Sequence, residues 1–338
     1  MSEVASRLFM SADLIGSTAQ KQQSDSKWLS GLLAFYQQFP HILQEEVNEA
    51  HKQMLEQRGV IDCPVPKLWK AVGDELLYVV DVFHERQVWV YLTAWMRSLV
   101  RMQPDVFSKV VNAEGEPAPN SGGLKGGAWL ATFPWPDRRV AVPLTQDDYE
   151  PDANPEKANR ALLKLNDDTT TESRGSVRVD YVGPSVDTGF RILKSASAQR
   201  FPVSLEVAWV FAHVNEAMGN QKWPIYYEDE VEMKGVWGGK GYPVFWLDTG
   251  AEVTSHPKLD KLTKRSPVSA EEIAELAEAL HNEEDWPCSV YLSQSEEVAF
   301  NKAKANLEAK DDLLLTRIDT SVEIDDFDLA KSPEEEEE

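Results

Sequence analysis

Two short stretches carry residue types from which a phosphate-transfer site can be built. In LFMSADLIGSTAQK (residues 8–21), Asp13 closes an apolar run and is followed at once by Gly16, Ser17 and Thr18. An acid placed there is either a strand-end cap or a ligand of a divalent cation. In the second case the glycine turn and the helix start behind it offer backbone N–H groups to phosphate oxygens. A cation site needs a second acid, and KAVGDELLYVV supplies Asp74 at a Gly-Asp turn between two apolar stretches. Two carboxylates close together repel each other unless a cation lies between them, and such hard oxygen donors suit Mg²⁺ or Mn²⁺. The six histidines have no ligand spacing, and neither do the two cysteines, Cys63 and Cys288.

Holding these acids requires a strand that ends at Asp13 beside a hairpin that turns at Asp74. Residues 6–13 read as a short buried strand, and PKLWKAVGDELLYVVDVF reads as two strands around Gly73-Asp74. KWLSGLLAFYQQFPHILQEEVNEA has helical spacing, with Leu29, Leu32, Leu33, Tyr36 and Phe39 on or near one face and a kink or break expected at Pro40. ERQVWVYLTAWMRSLVRM reads as a helix striped by Val88, Leu92, Trp95 and Leu99, widened by Trp89, Met96 and Val100. That width fits either ordinary core or a helix partly buried in a dimer.

GGLKGGAWLATFP reads as a strand opened by glycines, and residues 135–175 as an insertion carrying one helix near 155–165. SVRVDYVG resumes strand character, PSVDTGFRILKSASAQ is the next helix, and PVSLEVAWVFAHV a strand entering a helix. VEMKGVWGGKGYPVFWL reads as two strands around a glycine turn. After about residue 255, Ser269 with Glu272 and Ser293 with Glu296 are two capping boxes that announce helices. Residues 323–338 form an acidic, solvated tail.

With 338 residues, 42% of them apolar and eleven tryptophans, the chain can bury a large core. The 57 acids against 34 bases give a net charge of −23, which argues against nucleic acid or anionic membrane as partner. The apolar runs are too short to span a bilayer, and no basic region followed by an apolar segment opens the chain. A cytoplasmic location is expected.

FMSADLIGST, KAVGDELLYV and VDYVGPSVDTGFRI, in this order, resemble the class III nucleotidyl cyclase domain, over roughly residues 6–247. SADLIGST and GGAWLATFPWP resemble, more narrowly, the pyrimidine cyclases of the Pycsar antiphage system. The resemblance implies an α/β (α+β) ferredoxin-like cyclase domain over residues 1–250, with the insertion at about 135–175. A helical C-terminal extension over 251–322 and the acidic tail then follow. It implies a homodimer with shared active sites, two Mn²⁺ or Mg²⁺ ions per site, and a product sensed by a separate effector protein.

The resemblance also implies roles for individual residues. Asp13, Asp74 and the carbonyl of Leu14 would bind metal. Gly16, Ser17, Thr18 and either Lys234 or Lys240 would hold phosphates. Lys70 and Asp180 would read the base, and Arg191 would steady the transition state. Asp187 stands where many class III cyclases keep an asparagine that orients the ribose. It either accepts from a ribose hydroxyl or serves the helix N-terminus. Without the resemblance, Lys70 reads equally as an edge lysine, Asp180 as a strand end, and Arg191 as the i,i+4 partner of Asp187.

Lys70 donates and Asp180 accepts, so the pair can serve either pyrimidine, and adenine as well. A pyrimidine site needs bulk where a purine would reach, and Trp69 and Phe9 are the bulky residues close by in sequence. The expected reaction is UTP to cyclic UMP and diphosphate, because the resembling family makes cyclic UMP more often than cyclic CMP. CTP is the alternative. A purine cyclase and a catalytically silent nucleotide-sensing dimer module are further ones.

Overall fold

A computed structural model describes residues 4–22, 27–59, 61–105, 123–144, 154–167, 177–219, 223–251, 266–302, 307 and 309–310. Its centre is a seven-stranded mixed sheet. The strands are β1 (Ala5–Leu14), β2 (Lys67–Val72), β3 (Glu75–Val82), β4 (Leu124–Phe133), β7 (Arg200–Val203), β8 (Ile225–Glu232) and β9 (Gly241–Asp248), in the order β2-β3-β1-β4-β7-β9-β8. Only the β4–β7 pairing is parallel. The chain is therefore an α/β fold, as its alternating elements lead one to expect.

Alternation along β1 decides which side chains meet which layer. Leu8, Met10 and Ala12, all fully buried, face the side carrying helices α2 (Lys27–Arg58), α3 (Glu85–Asp105) and α6 (Leu205–Ala217). Phe9 and Asp13 face the other side, where Trp129 stacks on Phe9 with ring centroids 5.4 Å apart. Helix α5 (Pro184–Ile192) lies across that second face at Gly189, where an added Cβ would fall 2.1 Å from the Trp129 ring. Only glycine lets α5 come this close.

Pro40 does not divide its helix, because α2 runs unbroken through it. The buried residues Phe35, Phe39, Leu43, Val47 and Ala50 flank the proline on both sides and hold both halves against the core. This packing offsets the one hydrogen bond that proline removes. Leu32, Tyr36 and Phe39 of the expected face pack against the core, whereas Leu29 and Leu33 are 44% and 46% exposed. The broad apolar surface of α3 is buried inside the chain, against α2, α6 and the sheet, except at Val100, which is exposed.

The 135–175 stretch holds the expected helix, α4 (Pro155–Asp167), and also a strand not foreseen, β5 (Arg138–Pro143). It pairs with β6 (Val177–Val182) in a separate two-stranded sheet. Beyond it, α7 (Ala270–His281) starts with the predicted box, Ser269 and Glu272 exchanging both capping bonds. The second box does not form: α8 (Val298–Asn301) begins after Glu297, without a side-chain cap. Ser295 Oγ instead accepts from the Glu297 N–H, so the turn before α8 takes the hydroxyl that Ser293 was expected to supply. The segment between α7 and α8 is tied to the sheet where Tyr291 N–H donates to Ser6 Oγ and Thr132 Oγ1 donates to the Ser289 carbonyl. The acidic run 323–338 lies outside the described residues. Among the described residues no helix is long and apolar enough to cross a membrane.

Candidate active site

Asp13 and Asp74 are brought together by register. β1 pairs with β3 so that Asp13 stands opposite Glu75, the residue after Asp74. On its other side β1 pairs with β4, placing Lys125 opposite Asp13. Gly73 makes the hairpin with φ +65°, and its carbonyl accepts a hydrogen bond from the Tyr36 hydroxyl. Gly16, at φ +80°, turns the chain from β1 into α1 (Ser17–Gln22).

Each aspartate is met by an ammonium group. Lys125 Nζ lies 3.2 Å from Asp13 Oδ2, and Lys21 Nζ donates to Asp74 Oδ1 at 3.1 Å. Ser17 Oγ donates to the second oxygen of Asp74. Burial pushes the Asp13 carboxyl up to about 6; Lys125 opposes the rise, while the nearby Asp74 and Glu75 charges add to it. Burial also acts on Asp74, but the hydrogen bonds from Ser17 and Lys21 outweigh it and hold that carboxyl below its ordinary value. The two neighbouring acids are thus shifted in opposite directions, Asp13 by burial and Asp74 by the hydrogen bonds it accepts.

Among the described residues no group of three or more histidines, cysteines and acids converges as a metal cage. The donors that the register brings together are the two carboxylates. That chemistry fits a hard divalent cation which takes its remaining ligands from water and phosphate.

The two proposed base readers, 110 positions apart in sequence, touch: Lys70 Nζ donates to Asp180 Oδ1 at 3.0 Å. The Lys70 ammonium also sits 3.8 Å from the centre of the Trp69 ring. That ring is wedged by Phe9 and Tyr181, each with its centroid 5.2 Å away, and by Phe190 at 6.1 Å. Lys70, on the edge strand β2, and Asp180, within β6, are thus each other's partner.

Asp187 and Arg191 both lie on α5. Asp187 is exposed in the first turn, and Arg191 Nη1 donates to the Asp187 backbone carbonyl at 2.9 Å. The bond bypasses the Asp187 carboxylate, so the two do not form the side-chain bridge their spacing allows. The turn between β8 and β9 approaches Arg191: a Cβ on Gly235 would lie 3.6 Å from Arg191 Nη2. Lys234, next to it, is exposed. Lys240 points elsewhere, 2.8 Å from Asp285 and 3.6 Å from Glu283, over the Trp237 ring. Of the two lysines, Lys234 adjoins the glycine that approaches Arg191, while Lys240 is held by Asp285 and Glu283.

Sequence reasoning missed three residues. Lys21 and Lys125 stand inside the quoted stretches, but nothing in the local pattern couples a lysine to a particular acid. The third is Asp137, fully buried, whose Oδ1 accepts from the N–H groups of Ser185 at 3.0 Å and Val186 at 3.3 Å. It anchors the first turn of α5, and burial pushes its carboxyl up to about 7 against those hydrogen bonds.

No family model matches the chain, and no curated protein does. Distant likenesses exist among solved structures. The adenylyl cyclase CyaB from P. aeruginosa is 13% identical, with a TM-score of 0.39 over 75% of this chain and 97% of that one. The guanylate cyclase domain of RhGC from Catenaria anguillulae, in complex with GTP, is 16% identical, with a TM-score of 0.37 over 73% and 98%. The guanylyl cyclase Cya2 is 12% identical, with a TM-score of 0.38 over 75% and 96%. At this distance the functional reading rests on the chain's own residues.

Proposed function

We propose that this protein is a metal-dependent pyrimidine nucleotide cyclase, converting UTP to 3′,5′-cyclic UMP and diphosphate. The observation that carries the reading is the juxtaposition of Asp13 and Asp74 at neighbouring strand ends, each neutralised by a lysine. In the reaction the ribose 3′-oxygen bonds to the α-phosphorus, the bond from that phosphorus to the β-phosphate oxygen breaks, and the hydroxyl proton leaves to solvent.

Asp13, Asp74 and the Leu14 carbonyl would hold Mn²⁺ or Mg²⁺, two ions in the family the sequence resembles, supplying Lewis-acid activation of the hydroxyl and charge neutralisation at the phosphates. Gly16, Ser17 and Thr18 orient the triphosphate, with Lys234 the better placed of the two candidate lysines. Arg191 stabilises charge developing on the transferring phosphoryl group. Asp187, exposed one turn earlier, is available to a ribose hydroxyl. Lys70 and Asp180 meet the edge of the base.

The wedged Trp69 favours a small base, because its ring and its aromatic neighbours take up volume beside Lys70 that a purine would need. The same donor and acceptor would serve CTP, so cytidylate cyclase is the second reading. The resemblance adds a homodimer with shared sites and a role in antiphage defence, the product acting through a separate effector.

The test is product analysis after incubating the purified protein with each of the four ribonucleoside triphosphates and Mn²⁺. Cyclic UMP is expected, and cyclic CMP alone would move the assignment to CTP. Cyclic AMP or cyclic GMP would overturn the pyrimidine assignment. UTP binding with no cyclic product would overturn turnover in favour of a nucleotide-sensing module.

A further inference from the structure

We propose that Lys21 is an internal counter-ion that keeps the paired aspartates closed to free metal and passes to the triphosphate when nucleotide arrives. The closed state rests on geometry alone, whereas the identity of the incoming anion rests on the cyclase reading. Helix α1 takes both oxygens of Asp74: its first residue, Ser17, donates to Oδ2 and its fifth, Lys21, donates to Oδ1 at 3.1 Å. Across the site Lys125 lies 3.2 Å from Asp13. Each of the two aspartates thus already has an ammonium counter-ion at contact distance.

A divalent cation offered to this cluster meets two positive charges at contact distance, and the repulsion is strong in a half-buried setting. Asp74 therefore becomes available only when Lys21 finds another anion, and a triphosphate brings several anionic oxygens to the same place. Lys21 is free to make that exchange. Its side chain is 34% exposed, and its ammonium rests 5.7 Å from the Trp28 ring rather than in a cage. Metal and nucleotide binding are then positively coupled through one side chain, each raising affinity for the other. The resting protein holds little metal and does not load it without substrate.

The test uses the full chain and Lys21→Met, which keeps the aliphatic stem and removes the charge. Mn²⁺ binding is followed by electron paramagnetic resonance of the free ion, with and without 3′-deoxy-UTP, which lacks the attacking hydroxyl. Lys21→Met should bind Mn²⁺ alone about tenfold more tightly, the size expected for losing one partly screened contact charge. It should bind 3′-deoxy-UTP with Mn²⁺ about tenfold more weakly, while Lys21→Arg behaves as wild type in both assays. In an Asp74→Asn background, Lys21→Met should change Mn²⁺ binding little.

Unchanged or weaker Mn²⁺ binding by Lys21→Met, beside measurable binding by wild type, would overturn the inference. Wild type that binds no Mn²⁺ with or without the analogue would overturn the metal site and the inference together. Tighter Mn²⁺ binding by the variant, with no cyclic product from any triphosphate, would support the closed state and overturn only the cyclase reading.

Discussion

Asp137→Asn isolates one buried acid that ties the helix of Asp187 and Arg191 to the sheet. Asparagine keeps the oxygen that accepts from Ser185 and Val186 but cannot ionise. In the folded protein burial pushes the Asp137 carboxyl from 3.8 up to about 7. The folded state therefore holds a proton that the unfolded state has released across that interval. The stability this contributes is full below pH 3.8 and is lost as pH rises through about 7. From pH 5.5 to about 7 the span is about 1.5 pH units, worth about 2 kcal/mol.

Urea denaturation of wild type and variant at pH 5.5 and pH 8 reads this directly, since other titrating groups cancel in the difference. The variant should gain about 2 kcal/mol on wild type between the two pH values. A pH-independent difference would refute the elevated carboxyl. It would mean that the hydrogen bonds from Ser185 and Val186 keep Asp137 ionised throughout.

Four further outcomes follow from the site and the helix beside it. Arg191→Ala should slow turnover by about 10² to 10³, the loss typical of one preorganised contact, and Asp74→Ala by more. Mixing the two inactive variants should restore activity if sites are shared between subunits, and no recovery would refute that arrangement. Trp69→Ala should cut the preference for UTP over ATP about tenfold or more by opening space beside Lys70, and unchanged kcat/KM ratios would remove Trp69 from base selection. Gly189→Ala places a Cβ against Trp129 and should cost about 1–3 kcal/mol in chemical denaturation, with kcat falling as α5 shifts Arg191. Wild-type stability and kcat would show that α5 is not seated where described.

Local pattern determined much of this protein. The apolar run ending at Asp13, the Gly73-Asp74 hairpin, the helices flanking it and the Ser269 capping box are encoded within a few residues each, and local sterics and hydrogen bonding suffice to form them. That Asp13 closes a strand and Asp74 sits in the hairpin turn was legible for the same reason. Tertiary structure decided what those elements meet. Pro40 is carried inside a helix because distant core residues hold both halves, and the Ser293 box fails because Ser295 takes the next turn. The β5–β6 sheet could not be read from a stretch rich in turn residues. Which lysine neutralises which aspartate, whether Lys240 faces the site or Asp285, and how Asp137 anchors α5 all depend on register between strands far apart in sequence. A side chain's type fixes the bonds it can make; only the fold chooses its partner, because burial and distance set the energy of each pairing.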